Sequence, residues 1–187
     1  MPGDDIEPIV TPRLRLEPMS VPFMEALARG DVDAAARDAG AAVPPTMSEE
    51  LGSFLQFRLA QLAVDPSIRA WLGRVMVLTD DAGERRVIGS IGFHGPPEDR
   101  GSVEVGYRVD PPYRRQGYAR EAIRALFDWA HERHGIETFV ASISPDNEPS
   151  LRLAAEFGFV QVGQQVDEID GLELVFESTW PRGRVSG

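Results

Sequence analysis

Apolar and polar residues alternate through Val103-Glu104-Val105-Gly106-Tyr107-Arg108-Val109, placing Val103, Val105, Tyr107 and Val109 on one face of a strand and Glu104 and Arg108 on the other. Beyond Gly117 the period changes. Ala119, Ala122, Ile123, Leu126, Phe127 and Ala130 recur at three- and four-residue spacing, an apolar helical stripe opposite Arg120, Arg124 and Asp128. The same reading extends in both directions. It predicts a first strand near Arg13 to Glu17, then helices at Val21 to Ala28 and Ser48 to Val64, with Pro44-Pro45 breaking the chain between them. Strands at Trp71 to Thr79 and Val87 to Phe93 flank the turn Asp80-Asp81-Ala82-Gly83, and Pro96 to Gly101 leads into the strand ending at Val109, an antiparallel meander. Downstream come a strand at Thr138 to Ser144 and a short helix capped by Asp146 or Asn147, with Pro149 in its first turn and Gly158 at its end. Phe159 to Glu168 and Leu172 to Thr179 form a last hairpin around Asp170-Gly171. The order β-α-α-β-β-β-α-β-α-β-β predicts an α/β (α+β) fold: a mixed, mostly antiparallel, twisted sheet of about seven strands with helices on both faces.

Composition narrows the class. The chain has 187 residues, 42% hydrophobic and 26% charged, an ordinary globular balance. That length suits one domain, over residues 10 to 180, with loose tails at 1–9 and 181–187. No apolar run approaches the ~20 residues that cross a bilayer, and Met1-Pro2-Gly3-Asp4-Asp5 lacks both parts of a signal peptide, so a cytoplasmic protein with no membrane partner is expected. There is no cysteine, which removes disulfides and thiolate nucleophiles, and the three scattered histidines offer no metal-binding spacing. Nineteen basic against thirty acidic residues, a net charge of −11, argue against nucleic acid and suit a cationic substrate, although acidity also simply keeps a protein soluble.

The balance reverses at Arg108, Arg114, Arg115 and Arg120. A helix starting at Gly117 leaves its first N–H groups unpaired where its dipole also favours negative charge, so a diphosphate fits there. The turn has neither the Gly-Lys-Ser/Thr of a P-loop nor the three glycines of a dinucleotide fingerprint. Arg114-x-x-Gly117-x-Ala119 instead resembles the Q/R-x-x-G-x-G/A loop of the GNAT acyltransferase superfamily. Asn147-x-x-Ser150…Glu156-Phe157-Gly158-Phe159 is similar to that family's second motif. Thr11-Pro12-Arg13-Leu14-Arg15-Leu16 resembles the opening strand of the branch containing the N-terminal acetyltransferases of ribosomal proteins.

The resemblance implies that Arg114, Arg115, Gln116, Gly117, Tyr118, Ala119 and Arg120 cradle the diphosphate of acyl-coenzyme A, that the strand end at Val109 pairs with the pantetheine arm, and that Asn147 and Ser150 also face the cofactor. It implies an acyl-CoA-dependent N-acetyltransferase using acetyl-CoA and no metal, with direct attack by a primary amine in a ternary complex. A longer donor such as succinyl-CoA, or a module that binds acyl-CoA without turnover, fits the same motifs. The acceptor, a protein N-terminus or a small-molecule amine, is left open, as is a homodimer.

Acyl transfer to an amine requires a base for the amine proton and an acid for the departing thiolate. Glu104, opposite the valines, is the candidate base, because the resemblance implies that an acid near this position takes the amine proton, directly or through water; the plainer reading pairs it with Arg108 on the same face. Ser150 is the candidate acid, though serine in a first helical turn also serves as a cap. Where many relatives carry a tyrosine acid, this chain has Ala154. His94, ahead of Gly95-Pro96-Pro97, could line the amine pocket or act as an alternative base; the plainer reading is a surface histidine at a strand end. His131 and His134, in the last turns of their helix, read as structural. Glu168 and Glu173, beside the last hairpin, could face the substrate entrance or merely solvate the turn.

Overall fold

The computed structural model describes residues 6–97, 99–167 and 171–181. Eight strands lie in the order β1-β2-β3-β4-β5-β6-β8-β7. They are β1 (Ile9–Val10), β2 (Leu14–Pro18), β3 (Arg74–Thr79), β4 (Arg85–Phe93), β5 (Ser102–Val109), β6 (Thr138–Ile143), β7 (Val160–Asp167) and β8 (Gly171–Thr179). The helices are α1 (Val21–Ala28), α2 (Val32–Ala39), α3 (Pro45–Val64), α4 (Tyr118–His134) and α5 (Glu148–Glu156). The expected mixed sheet, mostly antiparallel, is therefore present. The chain divides into two compact units, one running through Gly92 and resuming over Tyr107–Ala125, the other comprising Phe93–Gly106 and the chain from Leu126 onward.

The first unit holds the antiparallel run β1 to β4 with α1, α2 and α3. Its elements have local causes. Ser20 caps α1 by accepting from the Phe23 N–H, and Pro45 opens α3, where proline's missing donor costs nothing. The core joins Phe23, Met24 and Leu27 of α1 and Met47 and Leu55 of α3 to Val75 of β3, all almost fully buried. Three of its elements depart from the sequence reading: the strand expected from Trp71 starts at Arg74, because Pro66–Trp71 forms a 3-10 helix, and two further elements form where none was expected. Ile9 and Val10, at the edge of the expected tail, pair with Leu16 and Arg15 as β1. Helix α2 also lies where no element was expected: Asp31 accepts from the Ala34 N–H and Gly40 closes the helix in the left-handed conformation. Val32, Ala35, Ala36 and Ala39 of α2 do recur at helical spacing, but the stripe spans only eight residues and, being mostly alanine, fully buries Ala35 alone.

The second unit is built on aromatic packing. Phe127 of α4 stacks on Phe139 of β6 with ring centroids 3.8 Å apart, and Phe157 and Trp180 meet Phe127 edge-on at 5.8 and 5.9 Å. The Trp180 indole N–H donates to Asp128 at 2.8 Å, satisfying its polar edge. His131 and His134 belong to this packing: His131 Nδ1 lies 3.1 Å from the Ile136 carbonyl, and His134 packs edge-on against Trp129. The β6–β8 and β7–β8 ladders are antiparallel. The parallel β5–β6 ladder is short, comprising Ser102–Thr138, Val103–Phe139 and Glu104–Val140.

Candidate active site

The loop between β5 and α4 has the backbone of an anion cradle. Arg115 and Gly117 both adopt left-handed conformations, with φ of 62° and 82°. Glycine tolerates that geometry without strain, whereas any side chain at 117 would be strained and would meet Arg13 Nη2 at 3.4 Å. The first helical bond of α4 runs from the Glu121 N–H to the Gly117 carbonyl. Upstream of it, the N–H groups of Gln116, Gly117, Tyr118 and Ala119 find no protein acceptor among the described residues. A run of unpaired amides where the chain passes through left-handed conformations into a helix is the donor arrangement that a diphosphate requires. The residues present thus fit the anionic end of acyl-coenzyme A.

Side chains brace this loop from within. Arg114 Nε donates to the Val109 carbonyl at 2.8 Å, closing the loop onto the end of β5, and the Gln116 amide donates to the Pro112 carbonyl at 3.0 Å. Arg115 and Arg120 are exposed beside it. From the opening strand, Arg13 Nη1 donates to the Gln116 carbonyl at 3.0 Å and its guanidinium lies 4.4 Å over the Tyr118 ring. Sequence reasoning singled out Thr11 to Leu16 as a motif but assigned it no role at the loop.

In the second unit, Glu104 anchors a polar group. His94 Nδ1 lies 3.4 Å from Glu104 Oε2, with the imidazole half-exposed. The Ser142 hydroxyl and backbone N–H also donate to the Glu104 carboxylate, just past the point where the β5–β6 ladder ends. The side chain thus takes the acceptor place that a strand carbonyl would have filled. Bonding from His94 above all holds the Glu104 carboxyl below its usual range; burial opposes this, and the Ser142 donors and the His94 charge reinforce it. Because a carboxylate only accepts, Nδ1 must be the donor, which leaves the lone pair of a neutral His94 on Nε2. That nitrogen lies over Gly106, 2.9 Å from where a Cβ would be.

The pairing of Glu104 with Arg108 is overturned. Arg108 is engaged by Glu50 of α3, with Asp110 at 3.9 Å, because a long guanidinium on β5 reaches the first turns of α3. Asn147 caps α5, its Oδ1 accepting from the Ser150 N–H at 3.2 Å, so of the two candidate caps it is Asn147 rather than Asp146. Ser150 sits half-buried in the first turn of α5, and Ala154 is buried. Glu173 accepts from the Gln165 amide at 3.0 Å, while Glu168 and Asp170 lie outside the described residues. Ser142 and Glu121 were not singled out in the sequence; a serine in a strand and a glutamate in a helix carry no motif of their own.

Residues 13–160 match the family described as the acetyltransferase (GNAT) domain. The chain belongs to the GNAT acetyltransferase family. It is thereby an acyl-CoA-dependent acetyltransferase. Among GNAT relatives, the uncharacterised N-acetyltransferase YjdG of Bacillus subtilis (strain 168) is 24% identical over 150 residues, covering 80% of this chain and 88% of its own. Two solved structures share the fold. The ribosomal-protein-S5-alanine acetyltransferase of Vibrio fischeri is 17% identical with a TM-score of 0.59, covering 92% of this chain and 96% of its own. The ribosomal L7/L12 alpha-N-protein acetyltransferase, solved with coenzyme A, is 16% identical with a TM-score of 0.62, covering 92% of this chain and 98% of its own. No helix among the described residues is long and apolar enough to cross a membrane.

Proposed function

We propose that this GNAT protein transfers an acetyl group from acetyl-CoA to a primary amine, of a peptide N-terminus or a small molecule, in one catalytic domain spanning residues 10–180. The observation that carries this reading is the run of unpaired N–H groups from Gln116 to Ala119 behind left-handed Arg115 and Gly117. Those amides hold the diphosphate, with Arg115 and Arg120 supplying positive charge, Arg114 bracing the loop, and the end of β5 at Val109 offering backbone groups to the pantetheine arm. Asn147 and Ser150 complete the contacts to the cofactor. Acetyl-CoA, when bound, supplies an electrophilic thioester carbonyl and a thiolate leaving group.

An amine attacks only as the free base, so the chain must accept its proton. The His94–Glu104 pair does this as a unit: Glu104 stays ionised and orients the ring, and Nε2 receives the proton. Ser150 donates toward the leaving sulfur, Ala154 having no proton to give. A net charge of −11 favours a cationic acceptor. Free-thiol release is measured with acetyl-CoA and succinyl-CoA against a panel of peptides and small amines, beside the thermal shift caused by coenzyme A. Release with acetyl-CoA and one amine class is expected. A shift without release from any donor sinks the catalytic reading, and no shift at all sinks the loop reading.

A further inference from the structure

The opening strand and the first turn of α4 are joined by a cluster that the chemistry above does not use. Both oxygens of Glu121 are occupied: Oε1 accepts from the Thr11 hydroxyl at 2.6 Å and the Arg13 backbone N–H at 2.8 Å, and Oε2 accepts from Arg13 Nε at 2.6 Å. The other edge of the same guanidinium donates to the Gln116 carbonyl, while its face lies on Tyr118. One arginine therefore bridges the first turn of the helix and the apex of the loop ahead of it.

Two physical consequences follow. In a trans peptide the carbonyl and the next N–H point in opposite directions. Holding the Gln116 carbonyl toward Arg13 therefore turns the Gly117 N–H away from it, fixing one of the unpaired amides of the cradle. The second consequence is electrostatic. Glu121 places a carboxylate in the first turn of α4, at the helix end proposed to receive a diphosphate, where an uncompensated negative charge would oppose binding. Burial alone would favour its neutral form, but the Thr11 and Arg13 donors outweigh burial and keep it ionised. The Arg13 charge cancels it at a contact of 2.6 Å.

We propose that Arg13 is a positioning residue for acyl-CoA binding, aiming the Gly117 amide through the Gln116 carbonyl and neutralising Glu121 at the mouth of the diphosphate cradle. This rests on the loop reading above. The test measures the coenzyme A Kd by titration calorimetry for the wild type, Arg13→Ala, Arg13→Ala/Glu121→Gln and Arg13→Lys, together with the ligand-free Tm of each. In Arg13→Ala the Kd rises about tenfold, and adding Glu121→Gln recovers a substantial part of that loss because the opposing charge is gone. A merely structural latch predicts the reverse, since the second change removes a further partner. In Arg13→Lys the Kd rises about threefold, because an ammonium keeps the charge but cannot span Glu121 and the carbonyl as a planar fork does. In turnover assays KM for acetyl-CoA rises while kcat stays within about twofold. If the wild type binds coenzyme A but Arg13→Ala binds within twofold of it, or if Glu121→Gln gives no recovery, the proposal is overturned. Should Arg13→Ala not fold, an Arg13→Lys Kd indistinguishable from wild type overturns it equally. A wild type that does not bind coenzyme A refutes the loop reading itself, and the positioning role with it.

Discussion

Gly106→Ala separates the proposed chemistry from the fold. A Cβ at 106 would lie 2.9 Å from His94 Nε2 and 3.5 Å from its Cδ2, with no other heavy atom of the described residues within 4 Å beyond its chain neighbours. Comfortable contact begins near 3.5 Å, so the imidazole must retreat by about half an ångström or tilt. The Nδ1–Glu104 contact, at 3.4 Å, is already at the limit of hydrogen-bonding distance and has no slack to absorb the move. Stability barely changes. Alanine in place of glycine stabilises by about 0.4–1 kcal/mol through the unfolded chain, and losing an ion pair with a half-exposed histidine costs about 0–1 kcal/mol. The two nearly cancel, so Tm should move by no more than about 4 °C. Turnover should fall roughly tenfold to a hundredfold, part of what general-base catalysis supplies, while coenzyme A still stabilises the protein by about 2.7 kcal/mol at a hundredfold excess over Kd. The assay is free-thiol release with one identified acceptor, beside thermal melts with and without coenzyme A. A kcat within twofold of wild type would remove the His94–Glu104 pair from the mechanism; a Tm loss above about 10 °C would refute the packing argument.

Replacing Gly117 by valine should abolish coenzyme A stabilisation, because φ of 82° strains a β-branched residue and the added atoms crowd Arg13; an unchanged thermal shift would count against the loop. Glu104→Gln should bind coenzyme A normally and lower kcat by about 10²- to 10⁴-fold, with the deficit shrinking as pH rises and free amine accumulates; parallel pH–rate curves of equal height would exclude a role in proton transfer. The same variant tests linkage. Glu104 has a folded-state pKa below its unfolded value, so its contribution is full above the ordinary glutamate value of 4.5 and is lost as pH falls toward the folded one. Wild-type Tm should therefore drop more steeply than that of Glu104→Gln below about pH 5, and identical slopes would contradict the bonding described for Glu104. Phe139→Ala, at a fully buried ring stacked on Phe127, should cost about 3–5 kcal/mol by denaturant melt, and a loss under 1 kcal/mol would mean the site collapses freely.

What residue order alone determined about this protein is local. Alternation over residues 103 to 109 and the apolar stripe from Ala119 to Ala130 each report a face that must be buried, and both elements form where that pattern lies. The glycine turn between them is legible because φ of 82° suits one residue type, and the start of α5 because a side chain answers an N–H three residues away, although the structure had to choose Asn147 over Asp146. These are interactions over a few residues, and they sufficed for the fold class and for the glycine turn that opens α4. Helix α2 escaped because its apolar stripe is only eight residues long and made mostly of small alanines, and β1 because two residues make no pattern. Tertiary structure alone decided the partners of the charges. Glu104 and Arg108 share a strand face, yet Glu104 is held by His94 and Ser142 and Arg108 by Glu50, because sheet register and the seat of α3 set which groups come within reach. Arg13 and Glu121 lie 108 positions apart in the chain and 2.6 Å apart in space. A charge acts over ångströms whatever its place in the sequence, so only the folded chain chooses its partner.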